Sequence, residues 1–271
     1  MKATQRLHEL GQSIWLDNIT RNMLGDGTLE RYIDELSVTG LTSNPTIFDK
    51  AISHGDAYDE QLGELARRGV PPEEAFFELA LTDLRQAARL FEPVYERTDE
   101  VDGWVSLEVS PLLADDAGAT IEQAAELHGR ASCNIFIKIP GTAAGRTAIE
   151  ESIFAGVPIN VTLLFSADHY LGAAEAFMRG LERRIEAGLD PSIPSVASLF
   201  ISRWDVAVSD DVPEGLRTLP PGRYFLEAVE KGPDLTPDEE RDIREAIRSL
   251  EAGEGRTLEQ VRKTISAALK R

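Results

Sequence analysis

The chain has 271 residues, 42% of them hydrophobic, and a formal net charge of −19. That length suits one α/β barrel, and a surface this acidic argues against nucleic acid or an anionic membrane as partner. The single cysteine, Cys133, excludes an internal disulfide framework, fits a reducing cytosol and, beside an apolar strand, suggests core packing. Residues 1–10 show no apolar signal-like core, and no run of about 18 apolar residues occurs. The expectation is a soluble, cytoplasmic protein.

Residues 13–19 read as a first short strand, followed by a helical segment with Leu29, Ile33 and Leu36 on one face. Residues 40–45, Gly-Leu-Thr-Ser-Asn-Pro, are a strand of small and polar residues ended by proline. Residues 71–90 pattern as an amphipathic helix opening on Pro-Pro-Glu-Glu. A third strand spans 105–109, and the capping box Thr120-Ile121-Glu122-Gln123 opens the next helix. The fourth strand is Asn-Ile-Phe-Ile-Lys-Ile at 134–139, stopped by Pro140-Gly141. A helix through Arg146 and Ile153 leads to a fifth strand at 159–165. Ser166 caps a long helix to Gly188, and a sixth strand runs over 195–200. From 210 to 271 no convincing strand is visible. Capping boxes at Thr236 and Thr257, with a Gly-Glu-Gly break at 253–255, predict a helical tail. The expected domains are therefore a barrel over 1–209 and a tail over 210–271.

Strands alternating with helices imply βαβ units and a parallel sheet. No glycine-rich phosphate loop follows the first strand, which counts against a nucleotide-binding sheet. Polar residues recur on one side of strand after strand: Asp17; Thr42 and Asn44; Ser106 and Glu108; Asn134 and Lys138; Asn160 and Thr162; Ser198. A barrel interior is mostly aliphatic, and barrel active sites lie at the C-terminal ends of the strands. The expected fold class is an α/β, (β/α)8 TIM-type barrel, incomplete at six strands.

Lys138 stands out, because burial disfavours an ammonium and can lower its pKa from about 10.4 towards neutral. A neutral amine attacks carbonyl carbons. Imine formation also needs a proton donor, which Glu108 supplies if a hydroxyl such as Thr162 holds a water. Breaking a carbon–carbon bond beside the imine needs a base, and Asp17 is the spare carboxylate. Asn44, Asn160 and Ser198 can bind sugar hydroxyls. A protonated imine is itself an electron sink, so neither metal nor other cofactor is expected, and His8, His54, His128 and His169 are scattered without zinc spacing.

Together these stretches resemble transaldolase, in its actinobacterial form. The matching motifs are Trp15-Leu16-Asp17-Asn18-Ile19, residues 40–48, Val105-Ser106-Leu107-Glu108-Val109-Ser110-Pro111, and residues 134–142, 159–166 and 198–205. The resemblance implies a transferase of the pentose phosphate pathway. It would move a dihydroxyacetone unit from sedoheptulose 7-phosphate to glyceraldehyde 3-phosphate. Lys138 would form the Schiff base, Asp17 would deprotonate the C4 hydroxyl, and Glu108 with a Thr162-held water would handle imine protons. Thr42, Asn44, Asn160, Ser198 and Phe200 would bind the substrate, and Arg203 its phosphate.

Family members carry a seventh and an eighth strand after the Ser202-Arg203-Trp204-Asp205 stretch, and those strands are not recognisable here. An open barrel leaves unpaired edges. The ways out are unrecognised strands near 216–219, cover from the tail, or a second copy completing the sheet as a homo-oligomer. The alternative expectation is a weakly active or non-catalytic relative that binds sugar phosphates.

Overall fold

The computed structural model describes residues 2–54, 56–131, 133–201 and 203. By packing the chain divides into two units, Met1–Phe200 and Ile201–Arg271. The helical tail expected over 210–271 and the strands sought near 216–219 lie outside the described residues. Within the first unit the elements alternate as the sequence suggests. In chain order they are α1 (Ala3–Glu9), β1 (Trp15–Leu16), α2 (Arg21–Gly25), α3 (Thr28–Leu36), β2 (Gly40–Thr42), α4 (Pro45–Ser53), α5 (Asp59–Arg67), α6 (Pro72–Arg97) and β3 (Trp104–Glu108). A 3-10 turn over Pro111–Leu113 is followed by α7 (Ala117–Arg130), β4 (Ile135–Pro140), α8 (Ala143–Ala155), β5 (Ile159–Leu164), α9 (Ala167–Glu186) and β6 (Ser195–Leu199).

The six described strands form one sheet in the order β1-β2-β3-β4-β5-β6, and every pair is parallel. Each crossover joins spatial neighbours, so the strand order never reverses. A doubly wound sheet needs that reversal. Crossovers of one hand instead collect the helices on one face and curl the sheet around the other. Among the described residues the result is a parallel half-barrel, part of a TIM-type architecture.

Strand alternation sorts the side chains. Val105, Leu107, Ile135, Ile137, Ile139, Ile159 and Val161 are buried in one apolar cluster with Leu84 and Phe91 of α6, Leu127 of α7, Ile149 and Ile153 of α8 and Ala176 of α9. The opposite parity lines the inner face. At its N-terminal end Trp104 stacks on Phe136 with ring centroids 4.1 Å apart, and Trp15 lies over the same ring at 6.3 Å. Gly40 makes room, since a Cβ there would sit 2.6 Å from the Trp15 indole. Asn134 is buried at this end as a structural tie, donating from Nδ2 to the carbonyls of Ala88 and Gly103, both at 2.9 Å.

Several boundaries differ from expectation. The first strand is two residues, not seven, because the polar run after Leu16 turns into α2, which Thr20 caps by accepting from the Met23 amide at 3.3 Å. The helix expected to stop at Leu90 continues to Arg97 through Pro93, because Phe91 and Val94 extend its buried stripe. α7 is capped by Asp116, which accepts from the Ala119 amide at 3.0 Å. The predicted capping box therefore lies inside that helix: Thr120 Oγ1 donates to the Leu113 carbonyl and Gln123 Oε1 accepts from the Ser110 amide. Cys133 is exposed rather than in the core, since it lies in the turn before β4, ahead of the buried alternation.

Candidate active site

Above the aromatic floor the inner face becomes polar. Register places Glu108, Lys138 and Asn160 side by side on β3, β4 and β5. All of β4 is buried, and Lys138 is 4% exposed. Its Nζ lies 3.1 Å from Glu108 Oε2 and donates to the Ser43 carbonyl, also at 3.1 Å. The amine is thus held between the carboxylate that the sequence offered as its proton donor and a backbone acceptor that it did not reveal. Burial raises the Glu108 pKa above the ordinary carboxylate value. The charge and hydrogen bond of Lys138 pull it back, and the charge of Asp17 adds to the rise.

A chain of hydrogen bonds fixes the walls around this pair. Ser43 Oγ donates to the Ser106 carbonyl at 2.7 Å. Asn160 Nδ2 donates to Ser106 Oγ at 2.9 Å, and Ser198 Oγ donates to Asn160 Oδ1 at 2.9 Å. Polar groups just after β2 and on β3, β5 and β6 are thereby locked into one geometry, as buried polar networks must be. Two hydroxyls are exceptions. Thr42 Oγ1 and Thr162 Oγ1 are buried and meet no hydrogen-bonding partner among the described residues. Buried hydroxyls without protein partners are uncommon and point to a water or ligand atom. Thr162 lies opposite Pro140, on a strand whose register shifts between Val161 and Leu164, and Leu163 in that bulge is left-handed at φ 59°.

The remaining predicted residues are placed less tightly. Asp17 is exposed, just past the end of β1, close enough for its charge to act on Glu108. Asn44 caps α4, its Oδ1 accepting from the Ile47 amide at 2.9 Å with Pro45 at the first helical position. Phe200 is half-buried after β6, its amide donating to the Leu164 carbonyl at 2.8 Å and its ring 5.4 Å from Phe165. Arg203 is exposed and belongs to the second unit. The Ser43 carbonyl escaped sequence reasoning because backbone acceptors leave no signature in a side-chain pattern. Ser106 was visible as an inward polar residue, but its partners were not. Among the described residues, no group of three or more His, Cys, Asp or Glu is arranged to hold a metal, and no helix is long and apolar enough to cross a membrane.

A curled parallel sheet with a lysine–carboxylate pair buried on its inner face defines a (β/α)-barrel protein of the interior-lysine kind. The chain belongs to the transaldolase/fructose-6-phosphate aldolase family, whose model matches residues 14–227. Among curated proteins it is 48% identical over 208 residues to transaldolase 2 of Streptomyces coelicolor, covering 76% of this chain and 56% of that one. It is 48% identical over 206 residues to the transaldolase of Thermobifida fusca, covering 75% and 56%. Transaldolase 2 of a Nostoc species is 42% identical over 210 residues, covering 76% and 55%. The chain therefore spans about half the length of the curated relatives it matches.

Proposed function

We propose that the chain is a Schiff-base transaldolase that moves a dihydroxyacetone unit between phosphorylated sugars, with sedoheptulose 7-phosphate as donor and glyceraldehyde 3-phosphate as acceptor. The observation that carries the reading is the Lys138–Glu108 pair, 3.1 Å apart on neighbouring interior strands. Lys138 Nζ hands a proton to Glu108 Oε2, 3.1 Å away, and as the neutral amine attacks the ketone carbon. Glu108, whose raised pKa lets it carry a proton closer to neutrality, passes that proton through a water on Thr162 to the departing carbinolamine oxygen. Asp17 takes the proton of the C4 hydroxyl, the C3–C4 bond breaks, and its electrons flow to the iminium nitrogen. The bound enamine then adds to the acceptor aldehyde, and the imine is hydrolysed by reversal of the first steps.

Thr42, Asn160 and Ser198 bind the dihydroxyacetone hydroxyls. Asn44 contributes its amide nitrogen, since its oxygen caps α4. Phe200 walls the site, and Arg203 takes the phosphate. The protonated imine is the electron sink, so the reaction as written uses no cofactor. The setting is the cytoplasm and the non-oxidative pentose phosphate pathway. A second copy would add beside β6, the last of the described strands, where Val196 and Leu199 are 37% and 50% exposed, and sedimentation velocity reads that assembly.

The test is borohydride trapping. With fructose 6-phosphate, mass spectrometry should find a reduced adduct on Lys138 that vanishes in Lys138→Met. No adduct at saturating sugar refutes the reading. It would leave the second one, a sugar-phosphate binder without turnover.

A further inference from the structure

Asp17 lies outside the β1 ladder, on an exposed stretch, yet the chemistry proposed above requires it to reach one atom of a bound sugar. On one side Leu16 pairs with Leu41 in the sheet. On the other side come Ile19, fully buried, Thr20, the cap of α2, and Arg21, its first residue. α2 has only five residues, too few to be stable alone. It is tied down through Arg21. The guanidinium donates from Nε to Asp83 Oδ1 at 2.8 Å, from Nη1 to the Ala57 carbonyl at 3.3 Å and from Nη2 to Gln61 Oε1 at 2.8 Å. It also sits 4.2 Å from the centre of the Tyr58 ring. The Arg21 amide donates to Tyr58 Oη at 3.1 Å, and that hydroxyl donates to Asp83 Oδ2 at 2.7 Å.

Asp83 is fully buried on α6. A buried ion pair is a poor source of stability, and apolar replacements often do as well. What it does supply is a unique geometry, because a fork of fixed donors accepts one arrangement. We propose that the Arg21–Asp83–Tyr58 cluster is a positioning clamp that fixes the segment carrying Asp17 and so sets the reach of the carbon–carbon cleaving base. This rests on the Schiff-base reading above. A displacement of about 1 Å in a reacting group can cost on the order of 100-fold in rate.

The test separates imine formation from bond cleavage in the 271-residue chain. Dihydroxyacetone forms an imine without any bond to break, so its borohydride adduct on Lys138 reports the first step alone. Turnover of fructose 6-phosphate with erythrose 4-phosphate reports both. Arg21→Lys keeps the charge and loses the fork. Its turnover should fall about 10- to 100-fold while the dihydroxyacetone adduct forms within about threefold of the normal rate. In an Asp17→Asn background the same change should cost nothing further. Arg21→Ala should regain part of its turnover with added guanidinium, which reaches the site through the roughly 440 Å³ cleft that Arg21 lines with Asn18, Lys50 and Tyr58. Parallel loss of adduct and turnover, or losses that multiply in the double variant, would overturn the clamp. A carbon-13 NMR titration of Glu108 does not depend on turnover. Because Asp17 raises the Glu108 pKa, both Asp17→Asn and Arg21→Lys should lower it. A Glu108 titration that moves in Asp17→Asn but not in Arg21→Lys overturns the clamp, whereas an unmodified chain that forms no adduct overturns the Schiff-base reading instead.

Discussion

Replacing Lys138 with methionine strands Glu108. Burial and the Asp17 charge both raise the Glu108 pKa, and Lys138 is the group that opposes them. With the cation gone, only the raising influences remain. A carboxyl whose folded pKa stands above its unfolded value costs nothing at pH below the unfolded value; the cost grows between the two values and is complete above the folded one. Lys138→Met should therefore be close to unmodified stability near pH 4 and clearly weaker at pH 8. Removing one partner of a fully buried pair costs about 3–5 kcal/mol. Glu108 keeps 13% of its side-chain exposure, so about 2–3 kcal/mol at pH 8 is the fitting magnitude. For a unit of this size that is a Tm drop of roughly 4–12 °C. Thermal melts followed by circular dichroism at both pH values give the answer, with Lys138→Met/Glu108→Gln alongside. The double variant has no stranded charge and should recover most of the loss at pH 8. Equal loss at both pH values, or a double variant no better than the single, would refute the account of the pair.

Three further outcomes are expected. Thr162→Val removes a buried hydroxyl that meets no protein partner among the described residues, so it should leave Tm nearly unchanged while slowing adduct formation on Lys138 about 10- to 100-fold. Gly40→Ala drives a methyl into the Trp15 ring and should cost about 1–3 kcal/mol in urea unfolding, with altered tryptophan fluorescence. Cys133 should react with a thiol reagent in the native state to one equivalent without prior unfolding, because it is exposed; protection until denaturation would contradict its placement.

The half-barrel was legible because two periodicities alternate cleanly in the chain. Runs such as Ile135-Phe136-Ile137 and Ile159-Asn160-Val161 carry the strand period, and Ser166 marks the start of α9 by its chemistry alone. The inner polar row was legible for the same reason, since a side chain's parity fixes its face. Capping boxes were less dependable. Thr120 and Gln123 have the right spacing, but their hydroxyl and amide are taken by the turn at Leu113 and by Ser110, contacts that no local pattern encodes. The Ser43 carbonyl and the Arg21–Asp83 pair were out of reach. The first is main chain, and the second joins residues 62 positions apart.

The stacked rings of Trp15, Phe136 and Trp104 pave the N-terminal end of the inner face, with Lys138 two residues above Phe136 on the same strand face. That layer divides labour by height. Side chains at its level hold the sheet together, whereas those above it can be exchanged without opening the foundation. On the Schiff-base reading proposed above, a change of sugar preference should therefore be achievable by rewriting a single storey, with melting behaviour largely preserved, because the masonry beneath carries the weight.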